Sequence, residues 1–157
     1  MAKKSAGILL YKIKNNEPFF FLVHPGGPFW KKKELHAWSI PKGEIENNED
    51  PFRTALREFY EETGKQMAPN KAIPLSPIQQ KGGKTVYAWA IEGDLDPNDI
   101  KSNTLQMEWP PKTGKIIEFP EVDKAGWFNI SEAKNKINPA QYALIEELVD
   151  LLKSENK

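Results

Sequence analysis

Residues 43 to 64 read GEIENNEDPFRTALREFYEETG, and the fold turns on how this stretch is read. Asp50-Pro51 is a helix start, with Asp at the N-cap and Pro at the first helical position. Gly64 is a helix stop. Between them Phe52, Ala55, Leu56 and Phe59 follow the i, i+3, i+4, i+7 rule, which predicts an amphipathic helix over 51–63. At about 100° per residue with Glu58 as origin, Glu62 lies at about 40°, Glu61 at about −60° and Arg57 at about −100°, while the apolar group centres near 110°. One face is built to pack and the next carries carboxylates. Like charges three and four apart repel, so the stripe is either a solvated surface or a seat for a cation. Hard divalent cations take oxygen ligands of this kind.

Outward from the helix, the N-terminal side reads as strands: AGILLYKI (6–13), FFFLVH (19–24) after the polar turn KNNEP, and a short AWSI (37–40) closed by Pro41-Lys42-Gly43. HPGGPFWKKKELHAW (24–38) interrupts them, and Lys31, Lys32 and Lys33 make a basic loop suited to a polyphosphate. On the C-terminal side KTVYAWAIEG (84–93) is a strand, with shorter candidates at 116–119 and 126–128. Ser131 is read as the cap of a short helix, and AQYALIEELVDLL (140–152) as a final amphipathic helix. The proline-rich stretch 94–115 is read as a long loop. Strands with one helix in the middle and one at the end predict a mixed α/β domain spanning 1–157.

The chain has 157 residues, with 22 basic and 22 acidic side chains and no cysteine. Zero net charge gives no drive toward a nucleic-acid polymer or a membrane surface. Without cysteine there are no disulfides and no thiolate metal ligands. The apolar run at 6–11 is too short for a signal-peptide core or a membrane span, so a cytoplasmic protein is expected. His24 and His36 have no metal-ligand partner at suitable spacing and are read as structural.

Gly43, Glu49, Arg57, Glu58, Phe59, Glu61, Glu62 and Gly64 stand at the spacing of the Nudix signature: Gly, five residues, Glu, seven residues, Arg-Glu-apolar-any-Glu-Glu-any-Gly. Average residue usage would produce its seven fixed letters by chance in roughly one such chain per million. Lys65 stands where the family carries an aliphatic residue. SAGILLY, WSIPKGE and KTVYAWA resemble the diadenosine-tetraphosphate hydrolase branch. The resemblance implies an α/β/α sandwich around a mixed β-sheet, with 43–64 as the Nudix box. It implies that Glu58, Glu61 and Glu62 bind Mg²⁺ or Mn²⁺, with a carbonyl near Lys42 or Gly43 joining them. Arg57 and Glu58 are candidate catalytic residues, with Glu49 within reach of Arg57. Gly43, with its conformational freedom, allows the loop to turn tightly beside the metal, and Gly64 completes the structural set.

The same resemblance makes Glu121 the candidate general base, with Glu118 as its competitor. Lys42 and Lys84 are candidate phosphate contacts, and Trp30, Trp38, Tyr87 and Trp89 offer rings to a base. The implied activity is hydrolysis of a diphosphate linkage in a nucleoside diphosphate joined to another group. The first choice is a dinucleoside polyphosphate such as diadenosine tetraphosphate. ADP-ribose, another nucleotide sugar or a damaged nucleoside triphosphate is the alternative. A non-catalytic ligand sensor is the reading from another class, and the complete set of box carboxylates argues against it. The expected partner is a small phosphorylated molecule.

Overall fold

A computed structural model describes residues 3–68 and 70–155. The first strand, β1 (Lys4–Lys14), is the axis of the molecule. It pairs antiparallel with β2 (Glu17–Pro25), antiparallel with β3 (Lys42–Glu44), and parallel with β6 (Thr85–Glu92). Short strands β4 (Ile73–Pro74) and β5 (Ile78–Gln79) edge β6, and β9 (Val122–Phe128) pairs with β2. These form a seven-stranded mixed sheet whose main path runs β4-β6-β1-β2-β9. The β1–β2 hairpin turns on Asn15 and Asn16, both at positive φ, as a two-residue connection that matches strand twist requires.

A strand covered on both faces reads as a continuous apolar run, and β1 is such a strand. Leu9 and Tyr11 point into one core with Phe20, Leu22, Trp38 and Ile40. Helices α2 (Ile130–Lys136) and α3 (Tyr142–Glu155) cover that core with Ala133, Leu144, Ile145 and Leu148. Ile8 and Leu10 point the other way, into a core closed by Ala55 and Phe59 of α1 (Pro51–Thr63). The result is the expected α/β/α sandwich. No helix among the described residues is long and apolar enough to cross a membrane.

Several local expectations need correction. The segment 37–40 makes only isolated bridges, Val23 with Ser39 and Trp38 with Ile137. The strand begins instead at Lys42, because the Ile8 N–H donates to the Pro41 carbonyl (3.1 Å) and lays the following residues along β1. Asn129, not Ser131, caps α2, in a reciprocal capping box with Glu132. A 3₁₀ turn at Pro139–Gln141 precedes α3. The stretch read as a loop contains β7 (Thr104–Glu108), which pairs with β8 (Ile116–Pro120) in a separate hairpin.

Candidate active site

The local chemistry of α1 folds as the sequence requires. The Asp50 side chain accepts from the Arg53 N–H (3.1 Å), and Gly64 ends the helix at φ 77° with its N–H donating to the Tyr60 carbonyl. Phe59 is fully buried, and Phe52 packs on Trp89 at 5.1 Å. Lys65, where an aliphatic residue was expected, donates to Asp99 Oδ2 (2.8 Å) at the surface.

The acidic stripe is not solvated. Glu58 is 8% exposed and Glu62 is 6% exposed, because their side of α1 lies against the β3 segment and the β8–β9 turn. The expectation that Gly43 serves by adopting a glycine-only conformation is not met, since it is not among the glycines at positive φ. Its role is close approach. A Cβ on Gly43 would fall 1.8 Å from Glu58 Oε1 and 2.1 Å from Glu58 Cδ. The carboxylate rests on the bare backbone of β3.

Arg57 anchors the other flank. Its Nε and Nη2 donate to the two carboxylate oxygens of Glu49 (3.0 and 2.9 Å), the bidentate geometry that suits a guanidinium. Nη1 donates to Glu58 Oε2 (3.0 Å) and to both oxygens of Glu61 (3.1 Å). Arg57 therefore holds three of the four signature glutamates, Glu49, Glu58 and Glu61, and orients them. Its hydrogen bonds keep the Glu49 carboxyl low, at about 2.

Glu121 closes the site from far along the chain. Its N–H donates to the Asn103 carbonyl (2.7 Å) and its carbonyl accepts from Gly26 (2.9 Å), which pins the β8–β9 turn over α1. Glu58, Glu62 and Glu121 each bring a carboxylate oxygen within 4.8 Å of the others. Glu61 lies outside this trio, on the Arg57 side. Glu118 does not join it either, and points from the exposed face of the hairpin toward Gln106 (3.5 Å).

Burial pushes the Glu58 carboxyl up to about 8, with Glu61 adding to the rise and Arg57 opposing it. Burial and the neighbouring Glu121 hold Glu62 well above the ordinary carboxylate range. Lys42 is lowered, first by burial and then by Lys84, while Glu62, Glu58 and Glu44 oppose the shift. Both expected phosphate contacts thus stand near each other, with Lys42 beside the trio. Converging oxygen donors, a glycine cradle for one of them and carboxyls pushed up by burial and by one another together fit a hard divalent cation.

Two of the trio, Glu62 and Glu121, line a cavity of about 430 Å³ together with Lys42, Phe29, Trp30 and Phe119. Of the rings considered from sequence, Trp30 lines it. Trp38 is core, packed on Phe128 (5.0 Å) and His24 (5.3 Å), while Tyr87 and Trp89 pack toward α1. Lys33 of the basic loop stacks over Phe29 (3.8 Å). One participant, Gly26, was not singled out from the sequence, and His24 was read there only as structural. Gly26 passes so near Pro120 that a Cβ would meet its carbonyl oxygen at 1.9 Å. His24 is fully buried, with Nδ1 2.8 Å from Asp123 Oδ1 and Nε2 2.6 Å from the Lys33 carbonyl, tying the loop to β9. The run HPGG is their only sequence signal.

Known proteins align with this architecture. The family model described as NUDIX domain matches residues 1–148. An RNA pyrophosphohydrolase of Brucella abortus is 31% identical over 142 residues, covering 82% of this chain and 74% of the relative. The RNA pyrophosphohydrolase of Mesorhizobium japonicum is 32% identical over 155 residues, covering 87% and 83%. Among solved structures, an Ap4A hydrolase of C. elegans in a binary complex superposes with a TM-score of 0.66 at 20% identity, covering 98% of this chain and 99% of that one. That likeness is one of fold.

Proposed function

The chain belongs to the Nudix family, a pyrophosphohydrolase by its relatives, and on that premise we propose that it hydrolyses the diphosphate linkage of a nucleotide, with a dinucleoside polyphosphate as the leading substrate. The observation that carries this reading is the convergence of Glu58, Glu62 and Glu121, the last two lining a nucleotide-sized cavity together with Lys42.

Glu58 and Glu62 would hold Mg²⁺ or Mn²⁺, with Glu61 adjacent and Arg57 fixing the orientation of Glu58 and Glu61. A divalent cation there supplies charge neutralisation to the phosphates and makes water a better nucleophile. Lys42 binds a phosphate oxygen as a point charge, and Lys84 lies within its electrostatic reach. Glu121 accepts the proton of the attacking water. The water oxygen bonds to phosphorus, the bridging P–O bond breaks, and the leaving phosphate departs as an anion.

A second reading is favoured by the curated relatives: removal of diphosphate from the 5′ end of RNA. Both substrates present a terminal nucleoside on a polyphosphate. The test is a hydrolysis screen with Mg²⁺ and Mn²⁺ over diadenosine tetraphosphate, ADP-ribose, nucleoside triphosphates and 5′-triphosphorylated RNA. Diadenosine tetraphosphate should yield ATP and AMP, and Glu62→Gln should abolish turnover. Diphosphate from RNA alone would transfer the protein to the second reading. No metal-dependent turnover of any substrate by folded protein would overturn both.

A further inference from the structure

The cavity carries a second set of polar groups. Besides the carboxylates it is lined by Gln80, Asn138 and Gln141, together with Trp30 and Met107. The Ile40 N–H donates to Gln141 Oε1 (3.0 Å). A peptide N–H only donates, so the polarity of the Gln141 amide is set by the backbone. Its Nε2 then donates to Ser39 Oγ (3.1 Å) and to Gln80 Oε1 (2.9 Å). The Ser39 hydroxyl is itself committed to the Ile40 carbonyl (2.6 Å). Gln80 stands at the end of this relay with its oxygen occupied. Its NH₂ group has no partner among the described residues. Asn138 reaches the same state by another route. Its Oδ1 accepts from the Ala140 N–H (3.0 Å), which turns its NH₂ group outward from that turn. These amides therefore offer donors, in the same cavity that Glu62 and Glu121 line with acceptors.

We propose that this amide-lined part of the cavity is a nucleobase pocket that reads hydrogen-bond acceptors, with Gln80 as the specificity-determining residue and Gln141 as the residue that orients it, so that a 6-oxopurine is preferred over adenine. The inference rests on the nucleotide reading above. Aromatic and thioether walls suit a flat ring. Guanine presents O6 and N7 as adjacent acceptors, whereas adenine sets an amino donor beside N7. Against Gln80 that amino group places donor against donor and leaves a buried polar group unpaired. A site built to bond a polar group rejects the analogue lacking it far better than an apolar pocket does.

The test is calorimetric titration of the whole protein with GMP, IMP and AMP in the absence of divalent metal, where turnover plays no part. GMP and IMP should bind within about twofold of each other, each about tenfold more tightly than AMP. In Gln80→Leu the preference should fall below about twofold through weaker GMP binding, with AMP little changed. Gln80→Glu, which presents only acceptors, should favour AMP. Gln141→Leu should also erase the preference, although its loss of a buried bond calls for a check of folding by thermal melt. Equal or tighter AMP binding by the wild type, IMP behaving like AMP, a preference that survives Gln80→Leu, or no binding of any nucleotide would each overturn the assignment. A GMP preference with no hydrolysis in the screen leaves the pocket standing and removes the catalytic reading. Hydrolysis with no base preference does the reverse.

Discussion

Gly43→Ala isolates what the carboxylate cradle does. The new Cβ would lie 1.8 Å from Glu58 Oε1, 2.1 Å from Cδ and 2.7 Å from Cγ. Ordinary carbon–oxygen contact requires the carboxylate to retreat by about 1.5 Å. Glu58 is itself buried on α1, and its hydrogen-bond partner there is Arg57, so the side chain should swing toward Arg57 and solvent. Coordination of Mg²⁺ demands oxygens at about 2.0–2.1 Å, so a displacement of that size removes the ligand. Misplacement of a reacting group by about 1 Å can cost about 100-fold in rate, or about 2.7 kcal/mol of transition-state stabilisation. Backbone strain should not contribute, since Gly43 is not at positive φ. The expected result is kcat lowered about 100-fold or more, a Mg²⁺ titration shifted to higher concentration, and a melting temperature close to wild type. A Gly43→Ala enzyme with kcat within about threefold of wild type and an unchanged Mg²⁺ midpoint would refute the claim that β3 seats Glu58 for metal binding.

The other predictions concern the supports of the same site. Arg57→Ala leaves Glu49, Glu58 and Glu61 without their shared cation, and should lower kcat by about 10- to 100-fold while leaving the fold intact, as steady-state kinetics and circular dichroism can check. In the metal-free protein Glu58, raised to about 8, keeps its proton in the folded state where the unfolded chain has lost it. That contribution to stability is fully present below about pH 4.5 and is lost as pH rises to about 8. Glu49 and Glu34, both held at about 2, titrate below this window and contribute evenly across it. The rise in melting temperature produced by Mg²⁺ should therefore grow from pH 5 to pH 8, because metal competes with protons for the same oxygens. A metal-induced rise that is flat or falls with pH would contradict this. Phe59→Ala should destabilise the domain by about 3–5 kcal/mol in a denaturant titration, since the ring is fully buried against Phe21.

The helix and its two faces were legible because everything that defines them is local. Asp50, Pro51, the Phe52–Phe59 spacing and Gly64 act within one element. The central strands were legible for a related reason, since a run such as Ile8 to Tyr11 with no polar break implies cover on both faces. The β7 strand was not legible. Four of its five residues are exposed, and without a buried face its alternation carries no core signal. The Lys42 strand was hidden behind Pro41, which reads locally as a stop and in the fold hands the chain to β1.

The same distinction explains the site. The carboxylates were visible as a stripe, but their burial was not, because burial is conferred by partners far away in sequence. Glu121 stands 59 positions after Glu62, and reaches it only because Asn103 and Gly26 pin its backbone from two other segments. Helical geometry alone placed Glu61 beside Glu58 and Glu62. The Glu61 carboxylate turns to Arg57 Nη1, which it shares with Glu58, because Glu49 has taken the other two guanidinium nitrogens. A salt-bridge network of this kind grades like charges on one helix by how far the protein neutralises them. Glu49, Glu58 and Glu61 face the guanidinium, Glu58 also meets the trio, and Glu62 faces Glu121 with no arginine partner among the described residues. Loss of Arg57 would then do more than weaken an ion pair, because it would release Glu58 and Glu61 together and leave adjacent carboxylates on one helix without the cation they share.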